Sequence, residues 1–194
     1  MNGDFKNYLS SYLNLSLIQS EKIVSFFKPT SLKKNDFFLK SGSLSNRLAF
    51  VQSGILREYL LTSEGKEITK WISTRGFFVV DLESFLFEKA ARYHVQALED
   101  SALLVIHKSH YNHIQDHIPE WPSLEKLFIV KCFSILEERI ITHLSLTAEE
   151  RYHWLFAYQP ELFNAVPLQY LASMLGMTPE TLSRIRKKNA ERNS

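Results

Sequence analysis

Gln169-Tyr-Leu-Ala-Ser-Met-Leu-Gly-Met-Thr-Pro-Glu-Thr-Leu-Ser-Arg-Ile185 is the stretch on which the fold is decided. Leu171, Leu175, Met177, Leu182 and Ile185 are apolar at spacings that let two short helices face one another. Ala172 is small where those helices must cross closely. Gly176, four residues on, can take the left-handed conformation that ends the first helix. Thr178 then supplies an N-cap, Pro179 suits the first helical position, and Glu180 in the first turn suits the helix dipole. The pattern predicts helices over about 167–175 and 179–190. The second presents Glu180, Thr181, Ser183, Arg184, Lys187 and Lys188 outward. A carboxylate accepts from cytosine amino groups, an arginine pairs with guanine or phosphate, and hydroxyls bind phosphate. A helix-turn-helix lays such a helix in the major groove of DNA. The plain alternative is a helical hairpin with a solvated basic face. The Ala–Gly spacing, in phase with the apolar positions, is the more specific signal and favours DNA.

The charge distribution agrees. The whole chain of 194 residues carries a formal net charge of only +2. From Ala165 onward Arg184, Arg186, Lys187, Lys188 and Arg192 stand against Glu180 and Glu191, a local balance of +3. A basic end on a neutral body is the asymmetry of a nucleic-acid reader, and also of many solvated tails.

Upstream, 123–144 predicts one long helix without internal Gly or Pro. Ile129, Phe133, Leu136, Ile140 and Leu144 form one apolar stripe; Leu124, Phe128, Cys132 and Ile135 form a second. Two stripes need two neighbours. One covers the preceding domain. The other, with its seam placed at Phe128 and Ile135, pairs with the same helix of a second copy, unless both are buried within one monomer. Between Thr30 and His107, short runs rich in Phe, Val, Ile, Leu and Tyr alternate with turn signals such as Ser41-Gly42 and Glu64-Gly65 at about ten-residue spacing. This texture predicts a β-sandwich or barrel, with a helical break near 81–87. Phe5 to Phe27 predicts one or two amphipathic helices ended by Pro29, and Pro119 and Pro122 bracket a turn.

Composition narrows the class. With 45% hydrophobic residues and 23% charged ones the chain can bury a real core. The single cysteine, Cys132, excludes a disulfide framework and a multi-cysteine cluster. Met1 to Phe5 lacks an apolar secretory segment, and no run approaches the roughly 18 apolar residues of a membrane span. The expectation is a cytoplasmic protein without membrane association.

On these residues the chain resembles the Crp/Fnr family, relatives of the cyclic-AMP receptor protein. Val51-Gln-Ser-Gly-Ile-Leu-Arg-Glu-Tyr59 resembles a strand–turn–strand of the family's sensor β-roll, 123–144 its dimerisation helix, and 166–188 its helix-turn-helix. The resemblance implies an α+β chain. It comprises a sensor β-roll (a double-stranded β-helix) with flanking helices over 1–122, the dimerisation helix over 123–144 and a DNA-binding domain over 145–194. It implies a homodimer on a palindromic duplex operator, contact with RNA polymerase, and an unknown small-molecule effector. Glu180 and Arg184 would read bases; Gln169, Thr178 and Thr181 would hold phosphates. Pro179 replaces a basic residue found in some members. The chain ends shortly after the recognition helix, so a complete two-stranded wing is not expected, and non-specific affinity should be lower.

The phosphate cassette departs from the family. Val80-Asp81 stands where cyclic-nucleotide binders carry Gly-Glu, and Arg92 stands near their Arg-Ser pair. Val80 adds bulk where backbone should approach phosphate, and Asp81 is one methylene short. Val80, Asp81 and Arg92 therefore mark a degenerate effector pocket. His110, His113 and His117 fall along one face of a helix, but such faces mostly stay solvated, and no metal, cofactor or catalytic residue is assigned. The competing class is a cupin-type metal enzyme with a helical tail. Its strand-borne ligands are lacking, since Thr30 to Ile106 holds one histidine, His94.

Overall fold

The computed structural model describes residues 3–192, apart from the side chains of Asp4, Tyr12, Leu13 and Arg192. Met1 and Asn2, part of the N-terminal segment considered above, lie outside the described residues. The chain divides into two compact units: Met1–Leu60 with Ile72–Lys131, and Leu61–Trp71 with Cys132–Ser194.

The first unit opens with two helices, α1 (Gly3–Leu13) and α2 (Leu17–Ser25). Asn14, at φ 54°, breaks the run. A capping box restarts it: Gln19 N–H donates to Ser16 Oγ at 3.3 Å, and Ser16 N–H donates to Gln19 Oε1 at 3.1 Å. Eight strands follow: β1 (Lys28–Leu32), β2 (Phe37–Leu39), β3 (Arg47–Ser53), β4 (Leu56–Leu61), β5 (Glu67–Ser73), β6 (Phe78–Val79), β7 (His94–Ala97) and β8 (Ser101–His107). They form two sheets, ordered β1-β8-β3-β6 and β2-β7-β4-β5. The predicted β-roll is therefore present. Pro29 lies within β1 rather than ending a helix, as a proline can because β1 is an edge strand.

The central strands read as continuous apolar runs because each serves two cores. Leu48 and Phe50 of β3 and Leu104 and Ile106 of β8 face a cluster with Phe5, Leu9, Ile23 and Phe27 of the helices. Their neighbours Ala49, Val51, Leu103 and Val105 face Leu39, Leu56 and Val95 between the sheets. Phe5 stacks on Phe50 at 4.6 Å and meets Phe27 edge-on at 4.7 Å. Gly54 turns β3 into β4 at φ +96°, where a Cβ would run into Ser101.

Helix α3 (Leu82–Phe87) fills the predicted break. After β8, the single helix expected to carry His110, His113 and His117 is instead α4 (Lys108–Asn112) and a separate 3-10 turn (Ile114–Asp116). The long helix α5 spans Trp121–Ser145, so Pro122 begins it rather than bracketing a turn; a first-turn proline loses no hydrogen bond. Leu124 is buried and Phe128 packs on the helical core of the first unit. That corrects one of the two seam positions: Phe128 faces inward, whereas Ile135 is exposed. Phe133, Leu136, Ile140 and Leu144 of the other stripe are exposed, Leu144 to 83%.

In the second unit α6 (Ala148–Tyr158) is followed by α7 (Leu162–Ala165), a four-residue helix not anticipated, then α8 (Leu168–Met174) and α9 (Pro179–Arg192). Among the described residues no helix is long and apolar enough to cross a membrane.

Candidate nucleic-acid interface

The α8–α9 turn closes by a Schellman arrangement. Gly176 takes φ +66°, its N–H donates to Ser173 O at 3.1 Å, and Met177 N–H donates to Ala172 O at 3.0 Å. Thr178 Oγ1 accepts from Thr181 N–H at 3.2 Å and caps α9. Leu171, Ala172, Leu175, Leu182 and Ile185 are buried, whereas Met177 sits half-exposed on the turn. The entry angle of α9 is thus fixed by backbone bonds and a small apolar core.

Gln169, Thr178, Glu180, Ser183, Arg184, Lys187 and Lys188 are exposed, and Thr181 is half-buried. Glu180, Ser183, Arg184 and Lys187 share one side of α9, away from Leu182 and Ile185. Glu180 does not pair with Arg184. Its carboxyl is held below the ordinary carboxylate range by its own backbone N–H first and by the Thr178 hydroxyl second. Arg184 has no partner among the described residues, so its five donors are open. The Thr178 and Thr181 hydroxyls stand 3.2 Å apart, and Lys188 Nζ donates to Glu149 Oε2 of α6 at 2.8 Å. A ligand must compete with those bonds.

The cassette residues are placed differently. Asp81 is 2% exposed, and both its oxygens are engaged. One accepts from Ser84 N–H at 3.1 Å, capping α3, and the other from Arg92 N–H at 3.3 Å. Val80 packs against the helical core, while its carbonyl accepts from Tyr93 Oη at 3.2 Å. Arg92 turns its side chain to the surface, 3.2 Å from Glu83. The three do not converge on a common space. The histidines do not converge either. Since α4 ends at Asn112, His113 pairs with Asp116 at 2.8 Å and His117 packs on Phe26. Among the described residues no three metal-binding side chains meet. His94 stacks on Tyr59 at 5.0 Å and accepts from Ser41 N–H. Burial raises the Cys132 thiol above its ordinary range.

Residues 29–117 match the cyclic nucleotide-binding domain family. An anaerobic regulatory protein of Bacillus subtilis (strain 168) is 29% identical over 89 residues, which are 46% of this chain and 37% of that relative. The match therefore spans well under half of the curated relative. In structure, the chain resembles the catabolite activator protein of Thermus thermophilus, with TM-score 0.56 and 21% identity over 92% of this chain and 85% of that one. It also resembles FixK2 of Bradyrhizobium japonicum, with TM-score 0.67 and 17% identity over 86% of each chain. Residues 29–117 are thus similar to a cyclic nucleotide-binding domain, and the chain shares the fold of these solved proteins.

The turn is held from behind by three side chains that sequence reading passed over, Arg139, His143 and Arg151. Arg139 donates to Met174 O at 3.1 Å and to Lys70 O, and its guanidinium lies 5.1 Å from the Trp71 ring. His143 places its two ring nitrogens 3.0 Å from Arg139 O and 3.2 Å from Met174 O. Arg151 donates to Leu146 O at 3.0 Å and reaches Gly176 O at 3.5 Å. Cations belong at helix C-termini, where carbonyls lack partners. The available signal was Arg139 and His143, four apart in the last turns of a helix. Thr69 N–H adds a bond to Ser173 Oγ at 2.9 Å, so the β4–β5 hairpin tip also braces α8.

Proposed function

We propose that the chain is a cytoplasmic, homodimeric transcription regulator that reads a palindromic duplex operator with α9. The observation that carries this function is the row Glu180, Ser183, Arg184 and Lys187, exposed on a helix whose start is fixed by the Gly176 turn. Arg184 and Glu180 meet base edges. Lys187, Gln169, Thr178, Thr181 and, once released from Glu149, Lys188 meet phosphates. Two copies join through Phe133, Leu136, Ile140 and Leu144 of α5, an apolar stripe that a monomer leaves in water. Half-sites then lie about one helical turn apart. The bound dimer would contact RNA polymerase.

The first unit acts as the sensor. With Asp81 consumed by two amides and Arg92 turned outward, cyclic AMP is not its effector. A cupin-type enzyme has no supporting feature here.

Selection from a random DNA pool tests the function. Wild type should return a palindromic logo, and Arg184→Ala and Glu180→Ala should each change it at one position of the half-site. Unaltered logos in both would remove α9 from base reading. Light scattering should give a dimer for wild type and a monomer for Phe133→Glu, since a charge in an apolar seam costs several kcal/mol. A monomeric wild type would sink the pairing.

A further inference from the structure

The exposed face of α5 carries one residue that its apolar stripe does not explain. Lys126, Ile129, Phe133, Leu136 and Ile140 follow one another at steps of three, four, three and four, the a and d positions of a heptad. The four apolar side chains are exposed, and so is Lys126. Buried Leu124 and inward-packed Phe128 fix which way this part of the helix is turned. Lys126 stands two residues from each, about 200° around the helix, so it points away from the first unit and into the proposed seam. It has no hydrogen bond or ion pair among the described residues.

Its neighbour supplies the complement. Glu125 holds the g position that precedes Lys126 and is half-buried at the margin of the same face. Its Oε1 accepts from Tyr111 Oη of α4 at 2.6 Å, which anchors the carboxylate to the first unit and leaves Oε2 open. An open cation on the seam and an open carboxylate oxygen on its margin form a surface that is complementary to itself under a two-fold.

We infer that Lys126 and Glu125 are the register key of the dimer, each Lys126 reaching the partner's Glu125 across the seam. The inference rests on the homodimer proposed above and names the charged pair that aligns it. A palindromic operator calls for two copies related by a two-fold, and a two-fold along the seam makes the helices parallel. In a parallel pair an a side chain packs beside the partner's a residue and the g residue before it. Two lysines meeting head-on would repel; turned sideways to the two carboxylates they make two crossed ion pairs. A slip of one heptad would set Lys126 against Cys132 and Phe133, leaving a charge in an apolar seam without a partner. A single lysine at an a position lowers stability relative to leucine and fixes register in return.

Two charge reversals in the full chain, Lys126→Glu and Glu125→Lys, test the pairing. Each alone sets like charges together twice per dimer, and its dimer dissociation constant in the ultracentrifuge should rise about tenfold or more. Mixed in equal amounts, the two should form a heterodimer of near wild-type affinity, well above the half share that random pairing gives in native mass spectrometry. Salt at about 1 M should erase that preference. Lys126→Glu mixed with Glu137→Lys, a reversal on the other flank of α5, should show no preference, which separates the pair from net charge. Lys126→Leu leaves the Tyr111 contact of Glu125 intact and stands as the test if Glu125→Lys disturbs the fold; its dimer should be several-fold tighter. Random pairing of the two reversals, an equal preference with Glu137→Lys, or a Lys126→Leu dimer no tighter than wild type would each overturn the inference while the homodimer stands. A monomeric wild type would remove the homodimer itself and this pairing with it, so the wild type alone tells the two failures apart.

Discussion

The outer face of α9 and the segment around α3 each hold an acidic residue and an arginine, Glu180 with Arg184 and Asp81 with Arg92, and treat them in opposite ways. On α9 both side chains stand in solvent, and Arg184 has no partner among the described residues. At α3 the carboxylate is buried on two backbone amides, and the arginine is drawn off to Glu83. A polar side chain is available to a ligand only while its hydrogen-bonding capacity is open. The same pair of residue types is thus presented to solvent in one region, as the proposed base reading requires, and is a structural clamp in the other.

The largest expected effect tests the clamp. Asp81→Ala leaves Ser84 N–H and Arg92 N–H without an acceptor, and should cost about 2–3 kcal/mol, read as a lower urea midpoint. DNA affinity of the folded variant should stay within about twofold, because the loss lies in stability. A stable variant with weakened DNA binding would erase the contrast. Arg184→Ala should do the reverse. It should lose roughly tenfold or more on the selected operator, or about 1–3 kcal/mol, with unfolding within about 0.5 kcal/mol of wild type.

Smaller effects sharpen the picture. Glu149→Gln frees Lys188 from an exposed ion pair worth at most about 1 kcal/mol. Binding to random DNA should rise by up to a few-fold and the salt slope steepen by about one; an unchanged slope would take Lys188 out of the interface. The smallest concerns pH. The Glu150 carboxyl is held below its ordinary range by the Thr147 backbone N–H and then by the Thr147 hydroxyl. A depressed acid stabilises the fold above the ordinary carboxylate range, and that contribution fades as pH falls through the folded value. Glu150→Gln keeps a capping box but should flatten that part of the acid limb of a stability–pH curve. An unchanged limb would assign the acid sensitivity elsewhere.

How legible each region was in the sequence follows from how local its determinants are. The α8–α9 turn is written within a dozen residues: an alanine, a left-handed glycine, a threonine cap and an apolar phase, each satisfied by neighbours in the chain. The twin cores of β3 and β8 are visible as unbroken apolar runs. Asp81 shows the limit. Asp-Leu-Glu-Ser carries an ordinary N-cap signal, but its second bond goes to the Arg92 amide, eleven residues away, which only the folded loop brings near. The Phe128 position of the α5 seam was misplaced because apolar residues of equal character differ only in which of them the first unit covers, while Ile135 is exposed. The histidine face dissolved because α4 stops at Asn112, without any Gly or Pro there to announce it.

The hairpin tip Leu61–Trp71 is compact with the C-terminal segment although about sixty residues of chain lie between them. Dissection of the molecule has to respect this. A fragment cut to begin at Cys132 would leave Arg139 without the Lys70 carbonyl and the Trp71 ring, and Ser173 without the Thr69 amide. The second unit cannot be lifted out as one continuous stretch or exchanged between chains at a single crossover. A graft that carries the chain from Cys132 onward into a foreign sensor must bring its hairpin tip along, or redesign Arg139 and Ser173, the two residues that lose their partners.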